Sequence, residues 1–109
     1  MNAFTAALQE PLRELCQRFH VERLYLFGSA AKGNFQPERS DLDFLVVLED
    51  QPPGEYAESY LELANALEQL FGRPVDLVTE PSIRNPYFRE SVFSARQLLY
   101  DRRDEKAAA

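Results

Sequence analysis

The chain has a single cysteine, Cys16, and a single histidine, His20. An internal disulfide is therefore excluded, and one Cys with one His makes neither a zinc site nor a convincing Cys–His nucleophile pair. Cys16 reads as a small apolar residue buried on a helix. His20 falls at a helix end, where imidazole meets the dipole favourably, and is assigned no function. No stretch reaches the ~18 uninterrupted apolar residues of a membrane span. The first residues lack the basic segment and apolar run of a secretory leader, so the expected location is the cytoplasm, with no membrane partner. Positive charge is also scarce. Lys and Arg number 12 against 18 Asp and Glu, a net charge of −6. Non-specific binding to DNA or RNA feeds on cations that neutralise phosphates, so no direct nucleic-acid partner is expected. A basic protein partner remains compatible with this charge.

What is present is enough for one domain. With 109 residues, 45% of them hydrophobic, the chain can bury a core without covalent staples. We expect a single domain over residues 1–104, followed by a disordered tail over 105–109. Apolar positions from Phe4 to Phe19 repeat at helical spacing, with Pro11 either kinking that helix or sitting in its first turn. Arg23 to Phe27 is a short apolar strand that stops at Gly28. Gly28 to Arg39 reads as a loop, with one helical turn over Ala30 to Gly33. Leu42 to Leu48 is a near-continuous apolar run, the mark of a strand buried on both faces.

After the break at Gln51-Pro52-Pro53-Gly54, a helix runs from Glu55 to Phe71, with Gly72 as its left-handed cap. Its wet face is Glu55, Glu58, Glu62 and Glu68. Val75 to Val78 is a third strand. Asn85-Pro86 starts another helix, Asn as cap and Pro at the first position, reaching Ser94 or Ala95. Gln97 to Tyr100 either continues it or forms a last strand, which we favour. Tyr87, Phe88 and Phe93 read as packing residues rather than a partner surface. Strands interleaved with helices give an α/β (α+β) layer with helices covering the sheet.

Three pieces carry chemistry. Gly28-Ser29-Ala30-Ala31-Lys32-Gly33 follows a strand directly. Ser40-Asp41-Leu42-Asp43 opens the next strand. Asp76 interrupts the apolar strand Pro74-Val75-Asp76-Leu77-Val78. Side chains alternate along a strand, so Asp41 and Asp43 point the same way with Cα atoms roughly 6.5–7 Å apart. Two carboxylates about 4 Å apart repel by about 4 kcal/mol at an effective dielectric of 20. A hard divalent cation, Mg²⁺ above all, answers that repulsion. Asp76, if buried in its apolar strand, needs a partner too. Beside the strand at Asp41 to Leu48, it would complete a set of three.

Gly28 allows close backbone approach and unusual φ/ψ. Backbone N–H groups of such a turn, with the Ser29 hydroxyl, cradle phosphate oxygens, and Lys32 adds positive charge. Phosphates, three carboxylates and Mg²⁺ are the equipment of two-metal nucleotidyl transfer. Each piece alone has an ordinary reading: a plain turn at Gly28-Ser29, caps or solvated residues at Asp41 and Asp43, an exposed edge position at Asp76. Their order and strand placement together favour catalysis. The candidate catalytic and metal-binding residues are Asp41, Asp43 and Asp76, with two Mg²⁺ ions. The candidate nucleotide-binding residues are Gly28, Ser29, Lys32, Gly33 and Ser40, the last chiefly as a turn residue.

At these positions the sequence resembles the nucleotidyltransferase superfamily of DNA polymerase beta. The short length, Asn85-Pro86-Tyr87-Phe88-Arg89 and the closing Leu98-Leu99-Tyr100 resemble its minimal branch, the MNT or MntA-type proteins. The resemblance runs from about Leu24 to Tyr100. It implies a small mixed sheet with helices packed mainly on one face. It implies ATP as substrate, and a HEPN-domain ribonuclease toxin as partner and possible hetero-oligomer. It implies an antitoxin that acts by adding AMP to a tyrosine of that toxin. Where the branch often has Arg this chain has Lys32, which keeps the charge but loses bidentate phosphate recognition.

Three other functions are weighed against this one. A steric antitoxin with a vestigial metal site would not need the intact aspartate set. A small-molecule nucleotidyltransferase would need a further domain to shape its acceptor pocket. An RNA-tailing enzyme would sit poorly with the acidic charge.

Overall fold

The structure, a computed structural model, describes residues 8–31 and 41–104. Helix α1 spans Gln9–Arg18. Its hydrogen-bond ladder opens with Leu12 N–H to the Leu8 carbonyl at 2.9 Å. Pro11 thus sits in the first turn, where its missing N–H costs nothing. The helix buries Leu12 and Cys16 and ends at Phe19. His20 then turns the chain in the left-handed region, at φ 61°. Strand β1, Val21–Phe27, follows at once and runs into a four-residue helix α2, Gly28–Ala31. The helical turn starts two residues earlier than its sequence suggests, with no loop between it and the strand.

Strand β2 occupies Leu42–Leu48, as its apolar run predicts. Helix α3 covers Pro53–Phe71. It begins two residues before the expected Glu55, because Pro53 serves as its first residue rather than as a break. Gly72 closes it at φ 67° and ψ 32°, donating its N–H to the Glu68 carbonyl at 2.8 Å. Strand β3 is Val75–Thr79, followed by a 3₁₀ turn at Glu80–Ser82. Helix α4 is Pro86–Ala95; the Asn85 side chain accepts hydrogen bonds from the N–H groups of Tyr87 and Phe88 at 2.9 and 3.2 Å. Strand β4, Gln97–Asp101, settles the last segment as a strand.

The four strands form one mixed sheet in the order β3-β2-β1-β4. β1 pairs antiparallel with β2 and β4, while β2 and β3 run parallel. A parallel pair needs a crossover, and α3 supplies it. One face of the sheet carries the main core. There Leu24, Leu26, Leu42, Phe44, Val46 and Leu77 meet Leu12 and Cys16 of α1 and Leu63 and Leu67 of α3. Burial in this apolar core pushes the Cys16 thiol up to about 12, so it stays protonated and inert at neutral pH. The Tyr60 hydroxyl donates to the Leu77 carbonyl and the Glu68 carboxylate accepts from Val75 N–H at 3.1 Å, tying α3 to β3.

The opposite face holds a smaller cluster: Tyr25, Phe27 and Leu45 from the strands, Ile83, and Val92 of α4. Strand alternation sorts these two sets, since Leu42 and Phe44 point one way and Asp43 and Leu45 the other. Two helices thus cover the first face, and α4 covers part of the second.

Candidate active site

Strand register brings two of the aspartates side by side. β1 and β2 place Phe27 opposite Asp43, and β2 and β3 place Asp43 opposite Asp76. Directly paired residues share a face, so Asp43 and Asp76 project together beside Phe27, on the face that α4 only partly covers. Asp41 stands two residues earlier and is exposed. The Asp43 carboxyl is held above its ordinary value of 3.8, first by partial burial, then by the negative charges of Asp76 and Asp41. The three acids therefore form one electrostatic group. No ion pair joins any of them to a cation among the described residues.

Asp76 corrects one premise of the sequence. It is exposed, not buried. β3 is an edge strand, so its interruption by a carboxylate carries no desolvation penalty, and proximity to Asp43 is what gives it meaning.

Gly28 is positioned by the same geometry. It follows Phe27, the partner of Asp43, with φ 73°. A Cβ placed on it would overlap Asp43 Oδ2 outright and stand 3.2 Å from Asp43 Cγ. The chain thus uses glycine here for both reasons expected: a left-handed backbone and close approach to an acid. From Gly28 the backbone enters α2. Ser29 lies in α2, but its side chain, like Lys32, Gly33 and Ser40, lies outside the described residues.

Two further contacts frame the site, and neither has a local sequence signal. The Gln97 amide of β4 donates to the Ala31 carbonyl at 2.7 Å, holding the end of α2. Phe88 of α4 meets Phe27 with ring centroids 6.1 Å apart and planes at 76°. Tyr87, expected to pack, is instead 84% exposed. At the second position of α4 it points away from the sheet, while Val92 supplies the buried contact.

The donors fit a hard cation: they are all carboxylate oxygens, like-charged, and approached by a backbone with no Cβ between. Among the described residues no three His, Cys, Asp or Glu side chains gather closely enough to hold a metal ion by themselves. Mg²⁺ is commonly shared between one or two carboxylates and substrate phosphates rather than caged by protein alone, so the set suits a cation that arrives with a polyphosphate. A separate groove of about 610 Å³, lined by Arg18, His20, Glu49, Asp50 and Glu55 among others, contains none of these residues. It lies at the other end of the sheet, where β1 begins and β2 ends.

A glycine turn after β1, an Asp-x-Asp opening β2 and an acid in register on β3 define a recognisable arrangement, and the nucleotidyltransferase domain family matches residues 8–99. The chain belongs to that family. It is an enzyme of the nucleotidyltransferase class, built on that family's mixed-sheet fold. A provisionally named protein adenylyltransferase of Methanocaldococcus jannaschii is 39% identical over 85 residues, 78% of this chain and 83% of the relative. The protein adenylyltransferase MntA of Thermococcus cleftensis is 38% identical over 73 residues, 67% of this chain and 70% of that one. Among solved structures, a chain in the complex of tri-AMPylated Shewanella oneidensis HEPN toxin with MNT antitoxin superposes with a TM-score of 0.59. It is 21% identical and the match covers 93% of this chain and 76% of that one, which shows a shared fold. Among the described residues no helix is long and apolar enough to cross a membrane.

Proposed function

We propose that this nucleotidyltransferase is an antitoxin that transfers AMP from ATP, with Mg²⁺, to a tyrosine hydroxyl of a cognate HEPN-domain toxin. The observation that carries the chemistry is the register pairing of Asp43 with Asp76 beside Gly28, with Asp41 close enough to bear on Asp43. The relatives named as protein adenylyltransferases and the fold shared with a toxin–antitoxin complex support the choice of acceptor.

In this reading Asp41, Asp43 and Asp76 hold the metal ions. Gly28, Ser29, Lys32, Gly33 and Ser40 receive the phosphates. The bound Mg²⁺ would neutralise the carboxylates and the charge developing on the phosphates. The acceptor oxygen bonds to the α-phosphorus, the bond from that phosphorus to the α–β bridging oxygen breaks, and pyrophosphate leaves. Tyrosine's ordinary pKa of about 10 makes its neutral hydroxyl a weak nucleophile. In this reading Asp76 takes the proton. Its exposure suits this role, because a macromolecular acceptor has to reach the site from outside. The net charge of −6 favours encounter with a basic partner, as expected of a ribonuclease that grips RNA.

Intact-mass spectrometry of the toxin after incubation with Mg²⁺-ATP tests this. Wild type is expected to raise the toxin's mass in whole AMP steps. Asp76→Ala should still copurify with the toxin but leave its mass unchanged. An unmodified toxin that is nonetheless inhibited in the wild-type complex would replace this reading with a steric antitoxin.

A further inference from the structure

We propose that Phe88 is the shelf on which the base of the incoming nucleotide stacks, making it a specificity-determining residue of the active site. The proposal rests on the reading that the three aspartates bind a nucleoside triphosphate.

Phe88 is a large aromatic that the fold leaves 45% exposed. Its place is fixed from one side by the edge-to-face contact with Phe27. Phe27 is the strand partner of Asp43 and the residue before Gly28. Side chains opposite each other in such a pair have Cβ atoms about 5 Å apart. Phe88 therefore stands one ring contact, 6.1 Å between centroids, from the strand partner of Asp43. A ribose separates a phosphate held at the carboxylates from its base, so the base has to meet a side chain near that strand pair and not within it. The backbone supports the ring as well, since Phe88 N–H is tied into the Asn85 cap at 3.2 Å.

Arginines flank Phe88 along this segment. Within a chain of net −6, residues 84–96 carry three arginines, Arg84, Arg89 and Arg96, against the single acid Glu90. Arg89 lies over Phe93 and 3.6 Å from Glu80, and Arg96 lies over Tyr25 and Phe93. Arg84, just before the Asn85 cap, is exposed. An exposed aromatic one ring contact from the strand partner of Asp43 suits a base whose phosphates are held at the carboxylates. Stacking accepts every base through its π-face, so Phe88 distinguishes nucleotides from bare polyphosphate rather than one base from another.

Calorimetric titration of the metal-loaded protein with a non-hydrolysable ATP analogue and, separately, with inorganic tripolyphosphate tests this. Phe88→Leu keeps an apolar contact to Phe27 and removes the π-face. It is expected to weaken analogue binding about tenfold while leaving tripolyphosphate binding unchanged. Phe88→Tyr restores the ring and should bind the analogue within about twofold of wild type. Equal analogue affinities for wild type and Phe88→Leu would overturn the proposal, as would parallel loss of both ligands or a Phe88→Tyr as weak as Phe88→Leu. Wild type that fails to bind the analogue at all would overturn the nucleotidyl-transfer reading together with this one. Loss confined to partner binding would reassign Phe88 to the protein interface.

Discussion

At Gly28 and Asp43 a backbone and a carboxylate occupy space that permits no further atom. Gly28→Ala introduces two problems together. A non-glycine residue at φ 73° costs about 1–2 kcal/mol, and the new Cβ overlaps Asp43 Oδ2. The carboxylate cannot withdraw freely, because Phe27 and Asp76 flank it on the neighbouring strands. The displacement therefore falls on the group that organises the site. We expect Gly28→Ala to fold with a stability loss of about 2 kcal/mol but to lose at least ~100-fold in nucleotidyl transfer. Chemical denaturation beside a single-turnover assay measures both. Full activity in a stably folded Gly28→Ala would refute the account of why glycine stands here. This residue was legible in the sequence, because a glycine at the end of an apolar strand, before an Asp-x-Asp, is an uncommon coincidence. The environment of Asp76 was not. Its strand reads as apolar, and nothing local tells an edge strand from a buried one.

Elements with local signals could be read in advance, and elements defined by neighbours could not. β2 is written in its own seven residues. The caps at Gly72 and Asn85 are written in theirs. In contrast, the end of α2 is held by a tertiary tie, the Gln97 bond to the Ala31 carbonyl, made across 66 residues. The exposure of Tyr87 depends on which side of α4 meets Tyr25, Phe27 and Leu45, a fact of topology rather than of helical spacing. Gly72 offers a contrast to Gly28 at this scale. It has the same left-handed backbone, φ 67°, but nothing lies within 4 Å of a Cβ placed on it. Gly72→Ala should therefore cost only the conformational term, about 1 kcal/mol, and lower Tm by about 4–8 °C. Because α3 serves the site only as the crossover between β2 and β3, kcat/KM should be unchanged within about twofold. A loss of activity comparable to that of Gly28→Ala would show that the cap of α3 governs the site, against the separation of roles argued here.

Across the whole molecule, the two ends of the sheet treat charge in opposite ways. At the candidate-site end Asp41, Asp43 and Asp76 stand together without a cation partner among the described residues. At the far end Glu49 and Asp101 each have one. The Glu49 carboxylate meets Arg102, and His20 Nδ1 at 3.5 Å. Asp101, nearly buried at the end of β4, accepts from the Arg103 backbone at 2.9 Å and from its guanidinium at 3.2 and 2.8 Å. These hydrogen bonds hold the Asp101 carboxyl below its ordinary 3.8, and burial opposes them without overcoming them. A carboxylate whose folded value is depressed adds stability that is present above the unfolded value and lost as pH falls through the folded one. Arg103 is mostly exposed, so solvent screening keeps this contribution small.

The molecule's own charge would mask it in a simple pH scan. Between neutral pH and the pI of 4.8 the net charge of −6 relaxes towards zero, and general repulsion declines over the same interval. The comparison that isolates Asp101 is therefore wild type against Asp101→Asn at each pH. Asp101→Asn should be less stable than wild type at pH 7 and by the same margin at pH 5. The margin should begin to shrink once pH drops below about 4, where the unfolded-state aspartate protonates, and go on shrinking as pH falls through the lowered folded value. Denaturant unfolding at pH 7, 5 and 3 measures this. A margin that stays constant down to pH 3 would mean that the shape of the side chain, and not its charge, holds the end of β4.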